Sequence, residues 1–92
     1  MKTIKLYNRD MDVSADLEAK LVDYVLVKLA AVRKPEDASI SWLVEQIRME
    51  LKINFPTSHN DAQTFFEAIG FKIGAVPQKN NPRLTRSWFV TI

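Results

Sequence analysis

Ser58-His59-Asn60-Asp61-Ala62-Gln63-Thr64-Phe65-Phe66-Glu67-Ala68-Ile69-Gly70-Phe71-Lys72-Ile73-Gly74-Ala75-Val76 carries the change of period that decides the fold. Up to Ile69 the apolar residues Ala62, Phe65, Phe66 and Ile69 repeat at helical spacing, which predicts a helix over roughly His59 to Ile69. Ser58, with Asp61 three residues on, has capping-box spacing with Asp in place of the usual Glu. Gly70 stands where a left-handed C-cap glycine belongs, and Phe71 is placed for the apolar contact that accompanies it. Beyond Gly70 the period falls to two. Phe71, Ile73 and Ala75 alternate with Lys72, Gly74 and Val76. Pro77-Gln78-Lys79-Asn80-Asn81-Pro82 is a turn signal. Leu84, Arg86, Trp88, Val90 and Ile92 then alternate with Thr85, Ser87, Phe89 and Thr91, rich in β-branched and aromatic residues. The stretch from Phe71 to Ile92 therefore predicts a hairpin with a loop of about six residues.

Upstream, Ile53-Asn54-Phe55-Pro56-Thr57 reads as a connector, with Pro56 stopping whatever helix precedes it. That helix is predicted from Asp37 or Ser39 to Lys52. Ile40, Leu43, Val44, Ile47 and Leu51 form its apolar stripe. Trp42 and Met49 lie seven apart, roughly opposite the stripe. They are either a small partner-binding patch or are covered by another segment. A first helix is predicted from Ser14, a good N-cap, through Val32. Leu17, Leu21, Val25 and Leu29 recur every four residues, with Val22 and Leu26 beside them. Pro35 closes it. Asn8-Arg9-Asp10 is turn-like, and the alternation of Ile4 and Leu6 with Lys5 and Tyr7 predicts a short N-terminal strand.

The 92 residues suit a single domain over 1–92, and an apolar fraction of 47% is enough for a folded core. The chain has no cysteine, which excludes disulfides, thiolate metal sites and a Cys nucleophile. It opens Met-Lys-Thr-Ile-Lys and contains no long apolar run. A cytoplasmic location is expected, with no secretory leader and no membrane contact. Charge is uneven. From Phe71 to Ile92 there are four basic residues and no acidic one, whereas the first 70 residues carry a net −2. A basic, acid-free ribbon suits a polyanion, although solvated cations are also ordinary surface residues.

Catalysis is not expected. One histidine and no cysteine remove most nucleophile–base designs. Gly70 and Gly74 fit no phosphate loop. Asp10-Met11-Asp12 puts two carboxylates in one predicted loop, which suits caps and solvated charge better than a metal. No cofactor, metal or small-molecule substrate is expected.

The predicted order is a possible strand, three helices and a hairpin: an α+β fold with a three-helix core. Carried by the helix Ser39–Lys52, the capped helix Ser58–Ile69, the glycine stop at Gly70 and the hairpin Phe71–Ile92, the chain resembles the winged helix-turn-helix family. That resemblance implies a DNA-binding module, such as a small transcriptional regulator. The third helix would enter the major groove and the hairpin loop would contact the backbone. Transferred to this sequence, it puts His59, Asn60, Gln63 and Thr64 on the outward face of the third helix, together with Glu67. Asn and Gln side chains suit adenine edges. The wing would be Gln78, Lys79, Asn80, Asn81 and Arg83, with Arg86 at its base, the cations meeting phosphates; Lys72 is a further nucleic-acid-binding candidate. Phe65 and Phe66 are read as core rather than as a stacking platform. Duplex DNA is the first expected partner. Two other partners stay open: a protein, including a second copy of the chain, bound on the same fold; and RNA or single strands stacked on Trp88 or Phe89.

Overall fold

A computed structural model describes all residues, Met1–Ile92. Its elements run β1 (Lys2–Lys5), β2 (Asp10–Val13), α1 (Ala15–Ala31), a 3-10 turn (Pro35–Asp37), α2 (Ile40–Gln46) continued by a π-helical turn (Ile47–Leu51), α3 (His59–Ala68), β3 (Lys72–Pro77) and β4 (Thr85–Thr91). The fold is α+β: three helices and two antiparallel two-stranded ribbons. No helix is long and apolar enough to cross a membrane.

Local chemistry sets the helix ends. Ser14, Ser39 and Ser58 are extended N-caps whose hydroxyls accept from the amides of Leu17, Trp42 and Asp61. Gly70 takes φ +104°. The Phe71 amide reaches back to the Phe66 carbonyl at 3.0 Å, closing α3 as its glycine stop predicts. Lys52, at φ 55°, ends the second helix in the same left-handed region without glycine's freedom.

The core runs from Ile4 and Val13 through Leu21 and Val25 of α1, Leu43 and Ile47 of the second helix, and Phe65 and Phe66 of α3, to Val90 of β4. Phe65 and Phe66 are fully buried, as the sequence indicates. Phe55 is a core residue too. Its ring centroid lies 4.7 Å from Phe65, edge-on, and 5.2 Å from Phe66. The connector is thus a plug between the second and third helices rather than a spacer.

Three elements differ from the sequence reading. Asp10-Met11-Asp12-Val13 is a strand, not an acidic loop. It pairs with β1 in the register Lys2↔Val13 to Lys5↔Asp10. Ile4 and Val13 are buried by this ribbon, while Asp12 accepts from the Thr3 hydroxyl at 2.7 Å on its outer side. The second helix leaves α geometry at Ile47, and its wider last turn separates the sides of Trp42 and Met49. Trp42 is half-buried with the Lys28 ammonium 5.9 Å from its ring, whereas Met49 is exposed at the edge of a groove between α2 and α3. They form no common patch. The hairpin loop spans residues 78–84, between Pro77 and Thr85, closed by the Gln78 amide on the Leu84 carbonyl at 2.9 Å.

A polar cluster ties α1 to the second helix. The Lys28 ammonium donates to Glu50 at 2.8 Å and lies 5.4 Å from the Tyr24 ring centroid. The bond from Lys28 holds the Glu50 carboxyl below its usual value, and the same bond raises Lys28. Burial, with Glu50 beside it, raises the Tyr24 phenol.

Candidate nucleic-acid interface

The third helix turns one side to the core and the other to solvent. Ala62, Phe65, Phe66 and Ile69 take the core side. Of the residues expected outward, His59, Asn60 and Glu67 are exposed, but Gln63 and Thr64 are half-buried. The Thr64 hydroxyl donates to the Asn60 carbonyl at 2.8 Å, so its polar atom serves the helix itself.

Both ribbons contact α3. The hairpin packs on it through β3, and Trp88 of β4 meets its first turn. The Trp88 ring lies 5.5 Å from the His59 ring, and Trp88 keeps 40% of its surface exposed. The β1–β2 ribbon reaches both ends of the helix. Lys2 Nζ donates to the Ala68 carbonyl at 2.7 Å near the end of α3. At its start, the Tyr7 amide donates to Asp61 Oδ1 at 2.7 Å, and Asn8 Nδ2 donates to Asp61 Oδ2 at 2.8 Å. Asp61 therefore does not complete a capping box by accepting from the Ser58 backbone amide. Its buried carboxylate clasps the tip of the N-terminal ribbon instead. Burial raises its pKa, but the bonds from Tyr7, Asn8 and Ser58 outweigh this and hold it below the usual carboxylate range.

The clasp puts Tyr7, Asn8 and Arg9 beside the first turn of α3, a cluster the sequence reading missed. Tyr7 is 80% exposed, and Arg9 donates to the Asn54 carbonyl at 2.6 Å. One signal was present. Asp61 lies one turn before Phe65, in apolar register, where only a well-bonded acid is tolerated.

Gln78, Lys79, Asn80, Asn81 and Arg83 are all exposed, as are Lys72 and Arg86. Asn81 shapes the loop: its side-chain Oδ1 accepts from the Arg83 amide at 3.2 Å and its carbonyl accepts from Leu84 at 3.0 Å. Arg86 is the extra residue of a bulge, because Val76 pairs with Ser87 and Pro77 with Thr85. The chain's two ion pairs are Lys2–Glu18 and Lys28–Glu50, so all four hairpin cations lack a carboxylate partner. Phe89 and Trp88 face opposite sides. The Phe89 ring covers Gly74, where a Cβ would fall 2.2 Å from Cζ, and its strand bridges to Ser39.

The structure brings His59 and Trp88 together, with Asn60 next to His59 in the exposed first turn of α3. Trp88 pairs with Ala75, so Lys79 lies four and Arg83 five residues further out along the hairpin, up to about 13–17 Å away at strand spacing. No metal-binding cluster of His, Cys, Asp or Glu is formed. Comparison with models of known protein families, with curated proteins and with solved structures found no match to this chain.

Proposed function

We propose that this chain is a winged-helix-type module that binds duplex DNA chiefly through its C-terminal hairpin. The observation that carries the reading is the hairpin's charge. Lys72, Lys79, Arg83 and Arg86 are exposed and free of carboxylates, and residues 71–92 contain no acid. Unpaired cations on a projecting ribbon are available to phosphates, and their contacts release counterions. The order of three helices and a hairpin supports the same assignment.

The geometry gives α3 a lesser part than the family resemblance alone implies. A helix about 10–12 Å across only just fits a major groove about 12 Å wide. The two ribbons that contact α3 favour shallow entry. Asn60 and His59 at its first turn, with the edge of Gln63, are then the base-reading candidates, while Lys79 and Arg83 hold phosphates beside Gln78 and Asn80. Such a module works in the cytoplasm as a small regulator. The exposed Trp88 beside His59 favours one alternative, a stacking platform for unpaired bases.

Fluorescence anisotropy with duplex DNA, single-stranded DNA and RNA, at two salt concentrations, separates the readings. Strongly salt-dependent binding to duplex alone supports the proposal. Preference for single strands transfers the site to Trp88. Absence of binding to all three defeats the nucleic-acid reading and leaves protein recognition on the same fold.

A further inference from the structure

Two arginines far apart in the chain converge on the connector before α3. Arg9 sits in the turn between β1 and β2, which the Leu6 amide closes on the Arg9 carbonyl at 3.0 Å. Its Nη2 donates to the Asn54 carbonyl at 2.6 Å. Arg48 sits in the π-helical turn. Its Nη1 donates to the next carbonyl, that of Phe55, at 2.6 Å, and to Asn54 Oδ1 at 3.4 Å. Both side chains line one polar pocket of about 270 Å³, together with Asn8, Thr57, Ser58 and Asp61. Neither guanidinium is in an ion pair. The pocket's one carboxylate, Asp61, gives its two oxygens to the Tyr7 amide and Asn8 Nδ2. Two like charges are thus held at adjacent carbonyls without a counter-ion, a repulsion that an anion between them relieves.

The donors left over define that anion. A guanidinium carries five N–H groups in a fixed fork. Arg9 keeps Nε and Nη1 free of partners in the chain, and Arg48 keeps Nε and Nη2. The exposed Thr57 hydroxyl adds a further donor. A planar carboxylate is filled by one such fork, whereas a tetrahedral phosphate presents oxygens in more than one plane and accepts from two forks at once. At about 30 Å³ for each water, the pocket has room for a phosphate group and several waters. We infer that Arg9 and Arg48 form a phosphate-binding site at the start of α3, with Thr57 as a further donor. The Asp61 clasp on Tyr7 and Asn8 fixes the turn that carries Arg9.

Arg48 also lines the groove that reaches His59, so the site adjoins the first turn of α3. A duplex backbone is one source of the phosphate, and a free phosphomonoester is the other. Assigning it to DNA rests on the function proposed above; the site itself does not.

Inorganic phosphate titrated into the whole chain, against chloride at equal ionic strength and followed by NMR, tests the site. The Nε–H signals of Arg9 and Arg48 and the amides of Thr57 and Ser58 should shift and saturate, with a dissociation constant of millimolar order. Arg9→Lys with Arg48→Lys keeps both charges but loses the forks. It should weaken phosphate at least about fivefold, with a melting temperature near the parent's. Arginine signals that move no more than in chloride overturn the inference. So does a double variant that takes phosphate as tightly as the parent. Duplex DNA distinguishes the sources. If the backbone supplies the phosphate, Arg9→Gln with Arg48→Gln should flatten the slope of log K against log salt by about 0.9, in addition to the effect of Lys79→Ala with Arg83→Ala. An unchanged slope, with phosphate still bound by the parent, assigns the site to a free phosphomonoester. A chain that takes phosphate at Arg9 and Arg48 yet binds no duplex loses the DNA reading and keeps the site.

Discussion

Replacing Phe55 by Ala tests whether the segment between the second and third helices is structural. The ring is fully buried and meets both Phe65 and Phe66. Truncating a buried Phe to Ala costs about 3–5 kcal/mol, from lost transfer energy and the cavity left behind. Two aromatic contacts, at about 0.5–1.5 kcal/mol each, place this site in the upper half of that range. A domain of 92 residues has about 5–14 kcal/mol in total, so a loss near 4 kcal/mol leaves it close to unfolding. At about 4–8 °C per kcal/mol, the melting temperature should fall by at least about 16 °C. Urea titration followed by the fluorescence of Trp42 and Trp88 gives the free energy, and thermal circular dichroism gives the midpoint. Phe55→Leu, which keeps much of the volume, should lose only about 1.5 kcal/mol. If Phe55→Ala unfolds within about 1 kcal/mol of the parent, the ring does not fill the space between the helices, and the account of the core here is wrong.

Three further outcomes are expected. Lys79→Ala with Arg83→Ala should weaken binding to every duplex alike and flatten the slope of log K against log salt by about 1.8, at 0.9 per phosphate; Asn60→Ala should instead change preference between sequences at an unchanged slope. The Asp61 carboxyl is held low in the folded state, so its contribution is complete above the unfolded value near 4 and is lost as pH falls through the folded value; Asp61→Asn should abolish that part of the acid unfolding curve and loosen amide protection at Tyr7. Gly74→Ala should destabilise the parent, because Phe89 must leave its place, yet cost much less in a Phe89→Ala background; additive effects would show that the ring does not rest on Gly74.

Features encoded by neighbours in the chain were legible. Ser14, Ser39 and Ser58 act as caps within three residues of their targets. Gly70 ends α3 through its own φ, and the alternation from Phe71 onward is the hairpin. The charge of the hairpin was legible for the same reason, since no acid within the segment can neutralise it. What escaped depends on residues far apart. Asp61 owes its burial to Tyr7 and Asn8, more than fifty positions away. Phe55 follows a helix end and precedes a proline, which is a loop pattern whatever the ring later packs against. β2 is only four residues long and carries two aspartates, so Met11 and Val13 gave a period of two too brief to outweigh the acids. For the site, the outward set of α3 was overdrawn because a helical wheel does not show that two ribbons contact the helix.

The Asp61 clasp also has a history in time. A lone two-stranded ribbon is marginal in water. Residues 2–13 gain their footing only when Ser58 and Asp61 exist to receive Tyr7 and Asn8. At a synthesis rate of about 5–20 residues per second, the early ribbon waits roughly 3–10 s for its dock, with Ile4 and Val13 open to water meanwhile. Docking residues 2–13 thus closes a loop of more than fifty residues onto α3, a long-range step that the local ribbon alone cannot drive.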